Sequence, residues 1–426
     1  MRYITMRDRE HLHTARYVTL AVILIVVASL LFPLLEGLGT AGFFGEKTYL
    51  VVLQDNSEIR PTGGLISLVG VLTMRDGQIA KLQYYYSHTG NSPLNANVSL
   101  DGPESFTTFF KVNEAWLFDS NVQYDFASFA PKVQSDWYSI TGQKLDGVIA
   151  LDFTAVEAIL SITGPVKVTG EVITNRNVFH RLEYYSNTQG GQMTKLLSTL
   201  TYRTLALIVH ASVPQKVALY NTFRELANEK HLFIYPDQGL LLGNAGGTSR
   251  APESDAVSVI DFNLGNGKSD FGIKRAIDYH VQLLPDGSAV SNLTLTYING
   301  DWWASDLFTQ VLVPPGAKLI GVHNGTREMD GPEIINGKDA TVFSSRFIVD
   351  PYKTAQITYL YKLPDRVYGN GLGSHYDLYV AKQGGINSYT LNTSVQLPAG
   401  AKLIHAENVG SNLEFTNDAH VSVVWM

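Results

Sequence analysis

From Tyr17 to Leu35 the chain reads YVTLAVILIVVASLLFPLL, a run without a single charged side chain. Wound as a helix, it rises about 28 Å, close to the roughly 30 Å hydrocarbon thickness of a bilayer. Pro33 stands in the last turn, where a break is tolerated. A cleaved signal peptide is the competing reading. The apolar stretch is longer than a usual signal core, however, and Thr40-Ala41-Gly42 is a poor substitute for a small-residue cleavage site. Arg2, Arg7, Arg9 and Arg16 precede the run, whereas Glu36, Glu46 and only Lys47 follow it. That asymmetry places the N-terminus in the cytoplasm and everything after about residue 40 outside. The expected layout is a cytoplasmic stub over 1–16, one transmembrane helix over 17–38 in contact with the lipid bilayer, and an extracytoplasmic remainder.

That remainder is long enough for two cores within the 426 residues. The net charge of -7 argues against a general nucleic-acid binder, and no nucleic-acid partner is expected. The absence of cysteine excludes disulfides, thiolate metal sites and cysteine nucleophiles.

Residues 48–53 (TYLVVL) form a short apolar run rich in β-branched side chains, the pattern of a buried strand. Leu65 to Met74 and Ile79 to Tyr86 follow, joined by Arg75-Asp76-Gly77, a hairpin signal. Phe129, Val133, Trp137 and Ile140 recur at helical spacing over 129–141, and Gly142 suits a C-cap. Gly147 to Asp152 predicts a strand, then a helix over 155–162 capped by Thr154. Helices over 192–211 and 214–228 and strands at 231–235 and 256–262 complete an alternating pattern. This predicts a layered α/β domain over 47–270. Beyond it, seven strand-like runs separated by Gly, Pro and Asn clusters predict an all-β sandwich-like domain over 271–426. There the motif P-x-G-A-K-L-I appears twice, at 314–320 and 398–404.

The stretch Tyr49 to Gly64 (YLVVLQDNSEIRPTGG) resembles the opening of the bacterial family called domain of unknown function 4012. Asp119-Ser120-Asn121 with Asp125-Phe126, Asp146 to Asp152, Thr163 to Val166, Asp261 to Asp270 and Lys382-Gln383-Gly384-Gly385 resemble its later blocks. The α/β part is also distantly similar to the LytR–CpsA–Psr family, anchored enzymes that transfer glycopolymers from polyprenyl phosphate to peptidoglycan. That resemblance implies a three-layer α-β-α fold. Asp55 matches the acid at the first strand's end and Arg60 the Arg that follows. The chain departs from the pattern at Thr62, where an Asp is usual, and at Tyr86-Ser87-His88-Thr89, where Pro-Arg-Asp-Thr is usual.

Two readings of these residues follow. In the enzymatic one, Asp55 and Arg60 are catalytic, with Arg60 holding phosphate, while Asp55, Asp119 and Asp125 hold Mg2+ for phosphotransfer from a lipid-linked glycan. In the other, Asp55, Asn56 and Ser57 cap a turn and Arg60 makes an ion pair. Pro61-Thr62-Gly63-Gly64 is either an anion-cradling loop or a tight turn into the next strand. Tyr84-Tyr85-Tyr86 and Trp302-Trp303 are either sugar-stacking surface or the core and rim aromatics of a packed sheet. The functional expectation is a single-pass cell-membrane protein that binds or scaffolds envelope glycopolymer, peptidoglycan or a polyprenyl-phosphate carrier. A phosphotransferase and a surface adhesin are its rivals.

Overall fold

The computed structural model describes residues 45–426 except 76–77, 87–90, 101–105, 108–113, 169, most of 189–209, 237–254, 266–267, 326–328, 365–366 and 369–372. The expected membrane helix, the Asp76-Gly77 turn, Ser87-His88 and most of the helix expected over 192–211 lie outside the described residues. Among those that are described, no helix is long and apolar enough to cross a membrane.

The apolar run after Lys47 becomes β1 (Glu46–Asp55), the centre of the first sheet. It pairs antiparallel with β2 (Leu65–Arg75), which pairs with β3 (Gln78–Tyr86). Two short pieces, β4 (Asn97–Ser99) and β5 (Glu114–Trp116), form a separate hairpin. On its other side β1 runs parallel to β6 (Gly147–Asp152). A second small hairpin, β7 (Val166–Val168) with β8 (Glu171–Ile173), precedes β9 (Leu232–Tyr235), which closes the sheet antiparallel to β6. Among the described residues the order is β3-β2-β1-β6-β9.

Side chains alternate across a strand, so β1 offers an apolar stripe to each face. Leu50 and Val52 face helix α1 (Phe126–Thr141) through Phe126, Phe129, Val133 and Trp137. Leu53 faces the opposite layer, α2 (Phe153–Thr163) and α3 (Val178–Thr188), through Phe153, Leu160 and Leu182. Helix α4 (Val213–Asn228) packs Leu219 and Phe223 against Ala155 of α2. Helices therefore cover both faces. Asp125 caps α1 by accepting from Ser128 N at 2.8 Å, and Gly142 ends it with φ 70°. The cap of α2 is Asp152 rather than Thr154. Its Oδ1 accepts from Ala155 N at 3.0 Å, so the last strand residue doubles as the helix start.

The remaining strands are β10 (Asp255–Asn263), β11 (Ile273–Leu283), β12 (Ala289–Asn299), β13 (Ser305–Val313), β14 (Lys318–Asn324), β15 (Met329–Asn336), β16 (Thr341–Val349), β17 (Thr354–Lys362), β18 (Ser374–Ala381), β19 (Tyr389–Gln396), β20 (Leu403–Glu407), β21 (Gly410–Phe415) and β22 (Ala419–Trp425). They form two sheets, ordered β15-β16-β13-β10-β18-β22-β20 and β14-β17-β12-β11-β19-β21. Val257, Val259, Ile277, Tyr279, Leu293, Phe347, Tyr359 and Val421 interleave in the core between them. The sequence pattern had placed β10 in the α/β domain. It belongs instead to the sandwich, antiparallel to β13 and parallel to β18, so the boundary falls between Tyr235 and Asp255. A parallel partner more than a hundred residues downstream leaves no local trace.

Within that core lies Asp255, whose Oδ2 accepts from Tyr279 and Tyr376 hydroxyls, both at 2.5 Å. Among the described residues its Oδ1 has no hydrogen-bond partner. Burial pushes its carboxyl up to about 6, the tyrosine hydrogen bonds opposing the shift. The repeated P-x-G-A-K-L-I motif forms one turn used twice. Ala317 N donates to Pro314 O and Ala401 N to Pro398 O, each at 3.1 Å, around Gly316 (φ 88°) and Gly400 (φ 85°). Each turn carries the chain from one sheet to the other.

A buried polar joint as the candidate functional site

At the C-terminal end of β1 the chain enters Asp55-Asn56-Ser57-Glu58-Ile59-Arg60-Pro61-Thr62-Gly63-Gly64. Almost every one of these residues is buried. Ile59 belongs to the sandwich core, not to the domain its strand comes from. Full burial of such a side chain contributes about 2 kcal/mol, and here that contribution holds two domains together. Backbone bonds reinforce it: Asn263 N donates to Ile59 O and Asp270 N to Ser57 O, both at 3.0 Å.

Asp55 accepts from Ser57 N at 3.1 Å and from the Ser57 hydroxyl through Oδ1, while Oδ2 takes Lys268 Nζ at 2.6 Å. Arg60 donates through Nε to Asp119 at 2.9 Å, through Nη1 to Asn263 O at 2.7 Å and Ile59 O at 3.2 Å, and through Nη2 to Glu58 at 3.2 Å. Its guanidinium also lies 4.4 Å over the Phe262 ring. Burial raises the Glu58 carboxyl, with Arg60 pulling the other way. Asn121 Nδ2 bridges Thr62 Oγ1 (3.0 Å) and Gly64 O (2.8 Å), tying the 119–121 segment to the same loop.

Strand β18 delivers Lys382-Gln383-Gly384-Gly385 to the other side of the joint. Gln383 donates to Arg60 O (3.1 Å) and Asp261 O (2.8 Å) and accepts from Asp261 N (2.8 Å). Asn56 Nδ2 reaches Gly385 O at 3.1 Å. A Cβ on Gly385 would lie 1.9 Å from Gly63 O, and φ there is 80°. The two glycine pairs thus allow backbone to meet backbone.

Beside them two lysines are exchanged. Lys230, which follows α4, sends Nζ to Lys382 O (2.9 Å) and Asp418 (2.6 Å) in the sandwich. Lys382 returns Nζ to Glu229 O (2.5 Å) and Gln383 O (3.3 Å). Desolvation, together with the nearby Lys230 charge, lowers Lys382 to about 7. His231 Nδ1 lies 2.5 Å from Asp152 Oδ2, both buried. On the sandwich side, Arg275 Nε meets Asp261 at 2.7 Å and Nη2 meets Asp270 at 2.6 Å.

The structure gives each residue of the enzymatic expectation a place and a partner. Asp55 and Arg60 do lie close in the same loop, but both are engaged in part-buried ion pairs. Asp119 faces Arg60, and Asp125 caps α1. Among the described residues no group of three or more His, Cys, Asp or Glu converges as a metal site. Among those residues the expected Mg2+ set of Asp55, Asp119 and Asp125 is not brought together: Asp55 meets Lys268, Asp119 meets Arg60 and Asp125 caps α1. The Pro61 to Gly64 segment is a turn whose Gly63 N donates to Arg60 O at 2.9 Å. Sequence reasoning gave no role to Lys230, His231, Lys382 or Gln383; the one signal was a Lys-Gln pair before two glycines at a strand end.

Residues 45–186 match the family described as protein of unknown function (DUF4012). That stretch holds the whole 55–64 loop and the Asp119 to Asn121 segment, so the DUF4012 match covers one side of the joint. Likeness to the LytR–CpsA–Psr family is not shown by it. No curated protein matches the chain. Solved structures with partial likeness include a protein from Legionella pneumophila described as nutrient-binding, 11% identical over 40% of this chain and 71% of that one, with a TM-score of 0.23. An M1 zinc metallopeptidase from Deinococcus radiodurans is 13% identical over 36% of this chain and 38% of that one, with a TM-score of 0.21. Leukotriene A4 hydrolase from Saccharomyces cerevisiae is 8% identical over 38% and 30%, with a TM-score of 0.24. The chain spans less than half of either of these two enzymes. Likeness at this level says nothing about its activity.

Proposed function

We propose that this is a non-catalytic, envelope-side scaffolding protein. An N-terminal helix anchors it in the cell membrane, and a rigid two-domain body is held out to bind envelope glycopolymer or its lipid carrier. The observation that carries the reading is the condition of Asp55 and Arg60. The groups that phosphotransfer would need are buried and joined to Lys268, Asp119, Glu58 and backbone carbonyls, where they hold the domains together. A phosphate would have to displace several of these bonds at once, each worth about 1 kcal/mol or more when a charge is involved. The uncharged Tyr17–Leu35 run and its arginine-rich N-terminal flank support the anchored, outward-facing layout.

Two measurements test this. Because the natural chain lacks cysteine, single cysteines placed in exposed sandwich turns report topology with membrane-impermeant maleimide. Labelling on intact cells is expected, and protection would overturn the anchored layout. The purified full chain, given Mg2+ and a polyprenyl-diphosphate oligosaccharide, is expected to retain the glycan without transferring it. Transfer that disappears in Asp55→Asn while the melting temperature holds would establish the enzyme instead.

A further inference from the structure

Trp302 and Trp303 stand neither in a strand nor in a core. They occupy the turn between β12 and β13, with 65% and 53% of their surfaces exposed. Their ring centroids are 4.5 Å apart at an interplanar angle of 39°. The turn beneath them is firmly built. Buried Asn299 donates Nδ2 to Trp303 O (2.7 Å) and Val349 O (3.1 Å), and accepts from Asp301 N (2.8 Å). Asp301 in turn accepts from Trp302 N at 2.6 Å. A third aromatic, Tyr352, is 69% exposed and holds a left-handed backbone (φ 56°), donating its N–H to Asp301 O at 3.3 Å. Such a conformation costs a non-glycine residue free energy, yet a large ring is kept there, facing water.

From this we infer that Trp302, Trp303 and Tyr352 form a preorganised aromatic platform that stacks on the C–H faces of pyranose rings in a polysaccharide. The inference rests on the glycopolymer reading above and gives that reading a binding surface. Aromatic rings supply apolar contact area with little rotamer entropy to lose, and a turn held by a buried amide lowers the ordering cost further. The half-buried Asp301 carboxylate and the exposed Lys353 ammonium, each next in sequence to one of these aromatics, supply an acceptor and a donor for sugar hydroxyls. Position argues for a polymer over the bilayer surface. Strand β1 spans ten residues, about 33 Å, from the end nearest the N-terminal segment to the joint. The tryptophan turn lies at the joint end, since Gly300 N donates to Gly272 O (2.8 Å) and neighbouring Asp270 N to Ser57 O (3.0 Å).

The test uses the full chain in detergent, with N-acetylchitohexaose and purified peptidoglycan sacculi as polysaccharide probes and phosphatidylglycerol vesicles as the lipid probe. Binding is followed by tryptophan fluorescence and co-sedimentation. The doubly substituted W302A/W303A chain should lose about tenfold or more in polysaccharide affinity, while W302F/W303F keeps most of it and both melt with the wild type. An unchanged affinity in W302A/W303A overturns the platform and leaves the scaffolding reading standing. A loss confined to vesicle binding overturns the platform as a sugar site and assigns it to lipid. If wild type retains neither polysaccharide, the glycopolymer reading falls and the platform with it.

Discussion

Replacing Lys382 with Met should turn a pH-dependent joint into a pH-independent one. Lys382 is almost fully buried, and its ammonium donates to the carbonyls of Glu229 and Gln383. Its folded value is about 7 against an ordinary 10.5, so the unfolded chain binds more protons across that whole interval. Stability therefore rises with pH from 7 toward 10.5, and the full penalty applies below 7. Linkage with these two values gives a cost of about 4 kcal/mol at pH 7 and about 2 kcal/mol at pH 9, a gain of about 2 kcal/mol over the interval. Other titrating groups face the same cluster. Lys230 is paired with Asp418, His231 with Asp152, and Tyr379 donates to Asp418 with its phenol pushed upward by burial. The Met side chain keeps the stem but leaves two buried carbonyls short of a donor, at about 1 kcal/mol each. Urea unfolding at pH 7 and pH 9 should show the wild type gaining about 2 kcal/mol while Lys382→Met gains far less. Equal slopes in the two proteins would refute the claim that this lysine is held near neutrality by burial.

Asp255 makes a complementary prediction in the sandwich core. Its carboxyl stands near 6, so the folded chain binds more protons between about pH 4 and 6, and stability falls as pH rises through that window. Asp255→Asn should flatten this dependence and stabilise the protein at pH 7 by up to about 3 kcal/mol, read as a higher melting temperature; an unchanged pH profile would count against it. Gly385→Ala places a methyl 1.9 Å from Gly63 O at a left-handed position, whereas Gly142→Ala meets nothing within 4 Å. Limited proteolysis should therefore cut between Tyr235 and Asp255 far faster in Gly385→Ala than in Gly142→Ala, and equal rates would show that the glycine contact does not hold the domains.

Much of the fold was legible because its signals are local. The apolar run before Asp55, the helical spacing from Phe129 to Trp137, Gly142 after it, and the alternation in β11 all reflect one element burying one face. Periodicity alone misplaced β10, since its assignment depends on β13 and β18, and it left Trp302 and Trp303 as either sugar-stacking surface or sheet aromatics, where the structure has them exposed in a turn held by the Asn299 amide. The ordered blocks from Asp55 to Gly64, at Asp119 to Asn121, at Asp261 to Asp270 and at Lys382 to Gly385 were recognisable individually, and their residue types suited either catalysis or structure.

By itself, then, the chain's sequence determines its element types, its lack of thiol chemistry and a strongly apolar N-terminal run, all properties set by neighbours within a few residues. Only the tertiary structure decides what Asp55, Arg60, Lys230 and Lys382 do. A carboxylate or an ammonium has no role until it is known which charge faces it and whether water can reach it, and here the deciding partners Asp119, Lys268, Asp418 and Glu229 lie between 59 and 213 residues away.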